Sequence, residues 1–225
     1  MSDKAFVHLH THSHFSLLDC TATLEDLVEA ARNAGMKALA VTDHGNMFGA
    51  VEFYEKALQA GIKPIIGYEA YVAPDSRHSR QARGISDASF HLTLLARNLT
   101  GYRNLMHLAT VAYTEGFYYR PRIDKEVLAS HHEGLVCLSG CIAGELPHYL
   151  LVEDEARAVE TAAFYSRKSR FAPATATRAS RSRKCRPTSK LWRRSSPSTR
   201  RFPDGKSRHP ASATCGICPR PRATI

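Results

Sequence analysis

Phe6-Val7-His8-Leu9-His10-Thr11-His12-Ser13-His14-Phe15-Ser16-Leu17-Leu18-Asp19 is the stretch on which the reading of this chain turns. Its first five residues mix β-branched, aromatic and apolar side chains in the manner of a short strand. Four of the 12 histidines occupy every second position from 8 to 14. In extended backbone those positions share one face, so the four imidazoles would line up together. Neutral imidazole is a good ligand for zinc, manganese or iron, and such crowding points to divalent-metal binding. The plainer reading is a surface histidine run or a purification tag. Tags are unbroken runs, however, and this cluster passes directly into Phe15-Ser16-Leu17-Leu18-Asp19.

Outward from this stretch, helix and strand patterns alternate. Thr23 reads as an N-cap with Asp26 three positions on, and Leu24, Leu27, Val28 and Ala31 keep helical spacing until Gly35. Ala38-Leu39-Ala40-Val41 is a buried strand ending at Thr42-Asp43-His44-Gly45. A helix is predicted over about 48–60, closed by Gly61, with a strand inside 62–72 and a polar loop over 75–89. Another strand, 90–95, leads through a turn at Gly101 to a helix near 104–113. Residues 135–138 are strand-like, Ser139-Gly140-Cys141 follows, and a last helix starts near Glu153 and runs toward Tyr165. This alternation predicts an α/β fold of parallel strands with crossover helices. Polar residues at strand C-termini then share one functional mouth.

That rule selects Asp43 and His44, then Glu69 after Pro64–Tyr68, and Cys141. His91 opens an apolar run, and periodicity alone does not place it in the mouth. Singly, a histidine or glutamate at a strand end is more often hydrogen-bonded or solvated than a ligand. Cys141 alone is more often a small buried hydrophobe. Jointly they supply imidazole, carboxylate and thiolate, the donor mixture of a multinuclear site that activates water and neutralises a phosphate ester.

Charge divides the chain sharply. Up to Tyr165 there are 14 Lys and Arg against 20 Asp and Glu, a net of −6; the last 60 residues hold 17 basic residues and one acid, Asp204. This tail has 7 of the 11 prolines, 10 serines and no apolar periodicity, so it is expected to be disordered. Arg167 to Arg201 is basic enough to contact phosphates, but aromatic interleaving is nearly absent, which disfavours a nucleic-acid arm. Cys215 and Cys218 form one CxxC without a second pair, and tetrahedral zinc needs four ligands. His131-His132 beside Glu133 reads as a solvated loop feature. The six scattered cysteines make a poor disulfide framework, and with no membrane-length apolar run a reducing, cytoplasmic setting is expected.

Seven segments carry a specific resemblance: FVHLHTHSHFSLLD at 6–19, TDHGNMFGAVEFY at 42–54, GIKPIIGYEAYVAP at 61–74, FHLTLLARN at 90–98, GYRNLMHLA at 101–109, EGFYYRPRID at 115–124 and LSGCIAGELP at 138–147. In this order the chain resembles the N-terminal polymerase-and-histidinol-phosphatase (PHP) domain of bacterial DNA polymerase III alpha subunits, over about residues 4–165. The resemblance implies a distorted seven-stranded β/α barrel of PHP type, incomplete here, with two or three divalent ions (Zn, Mn or Mg) at its C-terminal mouth. It implies His10, His12, Asp19, His44, Glu69, His91 and Cys141 as metal ligands. His10, His12 and His44 would serve catalysis through the bound metal, while His8, His14 and Asp43 orient the ligands. It also implies metal-dependent 3′-5′ exonuclease or phosphoesterase chemistry, with DNA and the other subunits of a replicative polymerase as partners. Two other classes remain open: a histidinol-phosphatase-type enzyme, and a non-catalytic docking module.

The chain departs from the family pattern in one place. The late Asp-x-His motif after the last helix is missing, and the resemblance, the acids and the apolar periodicity all stop near Tyr165. The expectation is a partial PHP domain over 4–165, followed at 166–225 by an Arg/Ser/Pro-rich tail read out of frame and therefore non-native. Reduced or absent nuclease activity is then expected.

Overall fold

The computed structural model describes residues 6–17, 19–81 and 89–168. The expected disordered tail lies, from residue 169 on, outside the described residues, as do Cys215 and Cys218. Among the described residues no helix is long and apolar enough to cross a membrane.

Helix α1 (Leu24–Asn33) starts where local chemistry dictates. The Thr23 hydroxyl accepts from the Asp26 backbone N–H, and the Asp26 carboxylate accepts from the Thr23 backbone N–H, a reciprocal capping box. It ends at Gly35, whose φ of +70° lets Gly35 N–H reach Arg32 O and Met36 N–H reach Ala31 O. Helix α2 (Ala50–Gln59) ends in the same way at Gly61, with Ile62 N–H on Ala57 O. Each terminus turns the chain directly into a strand, β1 (Ala38–Val41) and β2 (Lys63–Val72). Leu24, Val28 and Ala31 from α1 and Phe53 and Ala57 from α2 bury against Leu39 and Val41 of β1.

The remaining elements are β3 (Phe90–Ala96), α3 (Leu99–Thr114), β4 (Arg122–Ile123), α4 (Lys125–Ser130), β5 (Leu135–Leu138), α5 (Glu145–Leu151) and α6 (Glu155–Lys168). Among the described residues five strands form one open sheet in the order β1-β2-β3-β5, with β4 paired to the end of β2. β1 and β4 run parallel to β2, while β3 is antiparallel to both β2 and β5. The expected all-parallel sheet is therefore corrected at one strand: β3 alone is reversed. The cause is the connection, because no helix is described between β2 and β3, and a parallel neighbour needs a long crossover. The reversal brings the start of β3 to the same rim as the ends of β1, β2 and β5.

Three local expectations also change. Gly101 is not a turn before α3 but lies in its first turn, where Asn98 caps the helix by accepting from Gly101 N–H at 2.9 Å. A Cβ there would sit 2.0 Å from Gly134 O, so glycine serves close packing of α3 on the loop before β5. The region after Cys141 holds the unforeseen α5, whose seven residues are too few to show periodicity. The leading segment 6–14 is not a regular strand, although His8 O and Thr11 O accept from Ala40 and Thr42 of the β1 region at 2.9 and 2.8 Å.

Strand alternation divides the sheet into two faces. Tyr68, Ala70 and Val72 of β2 and Leu92 and Leu94 of β3 enter a core with Leu105, Leu108, Val111 and Ala112 of α3. Glu69, Tyr71, His91 and Thr93 therefore point to the opposite face. Buried Arg122 donates to Gly116 O, Arg77 O and Ser79 O, and Arg77 pairs with Asp124, tying the segment after β2 to β4 and α4.

Candidate metal centre

Glu69 is the focus. Its side chain is 1 % exposed and four imidazoles surround it. His10 Nε2 lies 3.5 Å and His91 Nδ1 3.2 Å from Oε1; His12 Nε2 lies 3.8 Å from Oε2, which also meets His44 Nδ1. The rings of His12 and His44 stack with centroids 4.1 Å apart. Backbone pairing sets this up: Glu69 N–H donates to Asp43 O, and Gly45 N–H donates to Glu69 O. On its other edge Glu69 is in register with Thr93, two residues from His91.

The surrounding hydroxyls hold the Nδ1 edges of the rings. Thr42 Oγ1 accepts from Thr11 N–H at 3.1 Å and lies 2.8 Å from His10 Nδ1, with Thr93 Oγ1 3.4 Å from the same nitrogen. Ser16 Oγ gives its proton to Asp43 Oδ1 at 2.6 Å and accepts from His44 N–H, so His12 Nδ1 at 3.3 Å is the donor to it. Both histidines turn Nε2 toward the Glu69 carboxylate. Arg120 can only donate, so His91 Nε2, 3.4 Å from its Nη1, is an acceptor and His91 Nδ1 carries the proton toward Glu69.

Protonation follows the same geometry. Burial pushes the His10 and His12 imidazoles below their ordinary value, against the pull of Glu69. Burial would raise the Glu69 carboxyl, but hydrogen bonds and charge from His44 and His91 outweigh it and hold Glu69 well below the usual carboxylate range. An ionised, buried carboxylate thus sits among four imidazoles, with His44 Nδ1 in direct contact with Oε2. A compact set of imidazole and carboxylate donors is the kind of ligand set that a divalent cation takes. The donor atoms of His10, His12 and Glu69, and those of His44, Glu69 and His91, lie close enough together for each group to hold one ion. The residues fit divalent metal.

The other predicted residues are placed less uniformly. Asp19, 60 % exposed, sets Oδ2 3.5 Å from His44 Nε2. Exposed Cys141 has Sγ 3.9 Å from His91 Nδ1. Asp43 is buried and accepts from Ser13 N–H, Ser13 Oγ and Ser16 Oγ, reaching His12 only through Ser16. His8 meets the Phe6 ring and His14 the Phe15 ring, so the expected single row of four imidazoles breaks into His10 and His12 at Glu69 and two flanking residues. Ser13, Ser16, Thr42, Thr93, Tyr71 and Arg120 were missed. A signal existed for Thr42, adjacent to Asp43, and for Ser13 and Ser16, which lie within the 6–19 stretch; Thr93, Tyr71 and Arg120 are recruited by contacts distant in sequence.

The family model described as PHP domain matches residues 8–170. The DNA polymerase III subunit alpha of Treponema pallidum is 54 % identical over 160 residues, covering 71 % of this chain and 14 % of that protein. The Thermus aquaticus subunit is 56 % identical over 153 residues, 67 % of this chain and 12 % of that protein. The chain thus spans about one eighth of these relatives' length. A solved structure of a candidate metal-dependent phosphoesterase from Bifidobacterium adolescentis overlaps 49 % of this chain and 35 % of that one, at 25 % identity and a TM-score of 0.34, too slight to add to the argument. With the match running from the histidine cluster through the last described helix, the chain belongs to the PHP domain family.

Proposed function

We propose that this chain is the N-terminal PHP portion of a polymerase III alpha-type subunit, with a multinuclear divalent-metal phosphoesterase centre of the 3′-5′ exonuclease kind. The observation that carries the reading is the buried Glu69 carboxylate facing the Nε2 atoms of His10 and His12. His10, His12 and Glu69 would hold one ion, and His44, Glu69 and His91 a second, with Asp19 and Cys141 on the rim as further ligands. Bound ions supply Lewis-acid polarisation and charge neutralisation for a phosphate ester. Thr42 orients His10, and the Asp43–Ser16 pair orients His12, so each Nε2 stays aimed at Glu69. Ser13 holds the remaining Asp43 oxygen and keeps that pair rigid.

DNA is the proposed substrate, the other subunits of a replicative polymerase are the proposed partners, and the cytoplasm is the proposed compartment. A seven-stranded barrel would need strands beyond the five described. The late Asp-x-His motif is absent from the sequence after Tyr165, so one metal position is expected to be weak and activity reduced. The test is degradation of a 3′-labelled primer in Mn²⁺ beside a complete relative: slower turnover is expected, and equal rates contradict the reading. A docking role is the second reading, favoured by exposed Phe48, Val51, Leu99 and Phe117. Near-zero zinc or manganese after gentle purification would select it.

A further inference from the structure

Arg120 stands beside this centre with its charge uncommitted. Its guanidinium lies over the Tyr71 ring, 4.6 Å from the centroid, and Nη1 is 3.4 Å from His91 Nε2. Among the described residues no carboxylate pairs with it, whereas Lys56, Arg77, Lys125 and Arg157 all meet acids. Arg122, two residues on, donates instead to backbone carbonyls. The adjacent Pro121 packs so tightly on the His44 turn that a Cβ at Gly45 would lie 2.9 Å from Pro121 Cγ, which anchors Arg120 to the site.

Arg120 lines a cavity of about 530 Å³ with Asp19, His44, His91 and His148. This is within the size range of small-ligand sites. A guanidinium held over an aromatic ring keeps its full charge and its planar fork of donors, the geometry that matches phosphate oxygens. Its contact with His91 is also conditional. An imidazole that ligates metal through Nδ1 carries its proton on Nε2, and two N–H groups would then face each other. Arg120 must give up that contact and seek an acceptor.

We propose that Arg120 is the anion-binding residue of this site, gripping a non-bridging oxygen of a phosphate ester; the proposal rests on the phosphoesterase reading above. Asp19 and Glu69 repel an anion until cations offset them, so phosphate binding is stronger with metal than without. The test uses the whole 225-residue chain as wild type, Arg120→Gln and Arg120→Lys, with Mn²⁺ binding by equilibrium dialysis and orthophosphate binding by calorimetry. All three are expected to bind equal Mn²⁺ and melt alike. Orthophosphate affinity should fall at least tenfold in Arg120→Gln and less in Arg120→Lys, with a smaller difference in the same direction in chelator. Loss of Mn²⁺ from both variants would make Arg120 a support for His91 and overturn the proposal. So would equal phosphate affinity of wild type and Arg120→Gln in Mn²⁺ and in chelator. A wild type that binds no Mn²⁺ sinks the metal reading alone, and phosphate binding in chelator then decides Arg120 by itself.

Discussion

Replacing Glu69 by glutamine removes the charge at the middle of the site and should lower stability both with and without metal, more with it. In the wild type Oε2 is in contact with His44 Nδ1 and lies 3.8 Å from His12 Nε2, while Oε1 lies 3.2 Å from His91 Nδ1. Against the effect of burial, His44 and His91 hold the carboxyl well below its usual range, so the ionised form stabilises the folded chain. A glutamine keeps one acceptor oxygen and sets an NH₂ where the other stood, so one charge-assisted hydrogen bond, roughly 1.5–3 kcal/mol, is lost without metal. Metal widens the gap, because a ligand at a hundred times its Kd stabilises the native state by about 2.7 kcal/mol and the variant forfeits this. Urea unfolding followed by circular dichroism, in EDTA and in MnCl₂, reads both terms. Glu69→Gln should unfold earlier than wild type in EDTA, and the gap should grow in Mn²⁺. A variant as stable as wild type in EDTA, or one with an undiminished Mn²⁺ shift, refutes the placing of an ionised Glu69 among these imidazoles.

Ser16→Ala leaves Asp43 with Ser13 but deprives His12 Nδ1 of its acceptor, so metal affinity measured by dialysis should drop about 10- to 100-fold. Asp124→Asn removes the buried partner of Arg77 and should cost about 2 kcal/mol at neutral pH by chemical denaturation. Burial works to raise the Asp124 carboxyl, but hydrogen bonds from Arg77 and Val127 hold it below its ordinary value. A depressed carboxyl contributes its stability above the unfolded value, near pH 4, and loses it as pH falls through the folded one. The gap between wild type and Asp124→Asn should therefore close on acidification below about pH 4; a gap constant in pH counts against the ion pair. Gly101→Ala drives a methyl to 2.0 Å from Gly134 O and should destabilise by about 3 kcal/mol, visible as a lowered Tm.

Local chemistry made much of this chain legible. The Thr23–Asp26 box, the helix ends at Gly35 and Gly61, and the strands near 38–41 and 135–138 are all governed by neighbours within a few residues. The strand-end rule likewise singled out His44 and Glu69, and alternate spacing marked the four histidines at 8–14 as a group, among which the family resemblance chose His10 and His12. The direction of β3 is another matter, since it depends on what connects two strands and not on what either contains. That reversal carries His91 to the rim shared with the ends of β1 and β5, which no periodicity within 90–96 could announce. The ring orientations of His10 and His12 are set by the Thr42 and Ser16 hydroxyls, a constraint that exists only once the partners have met. Arg120 gains its place through the Tyr71 ring, 49 positions away. Composition and spacing thus chose the donor atoms, while packing chose which of them converge and where each proton sits, because a hydrogen bond depends on distance and direction that sequence order does not carry.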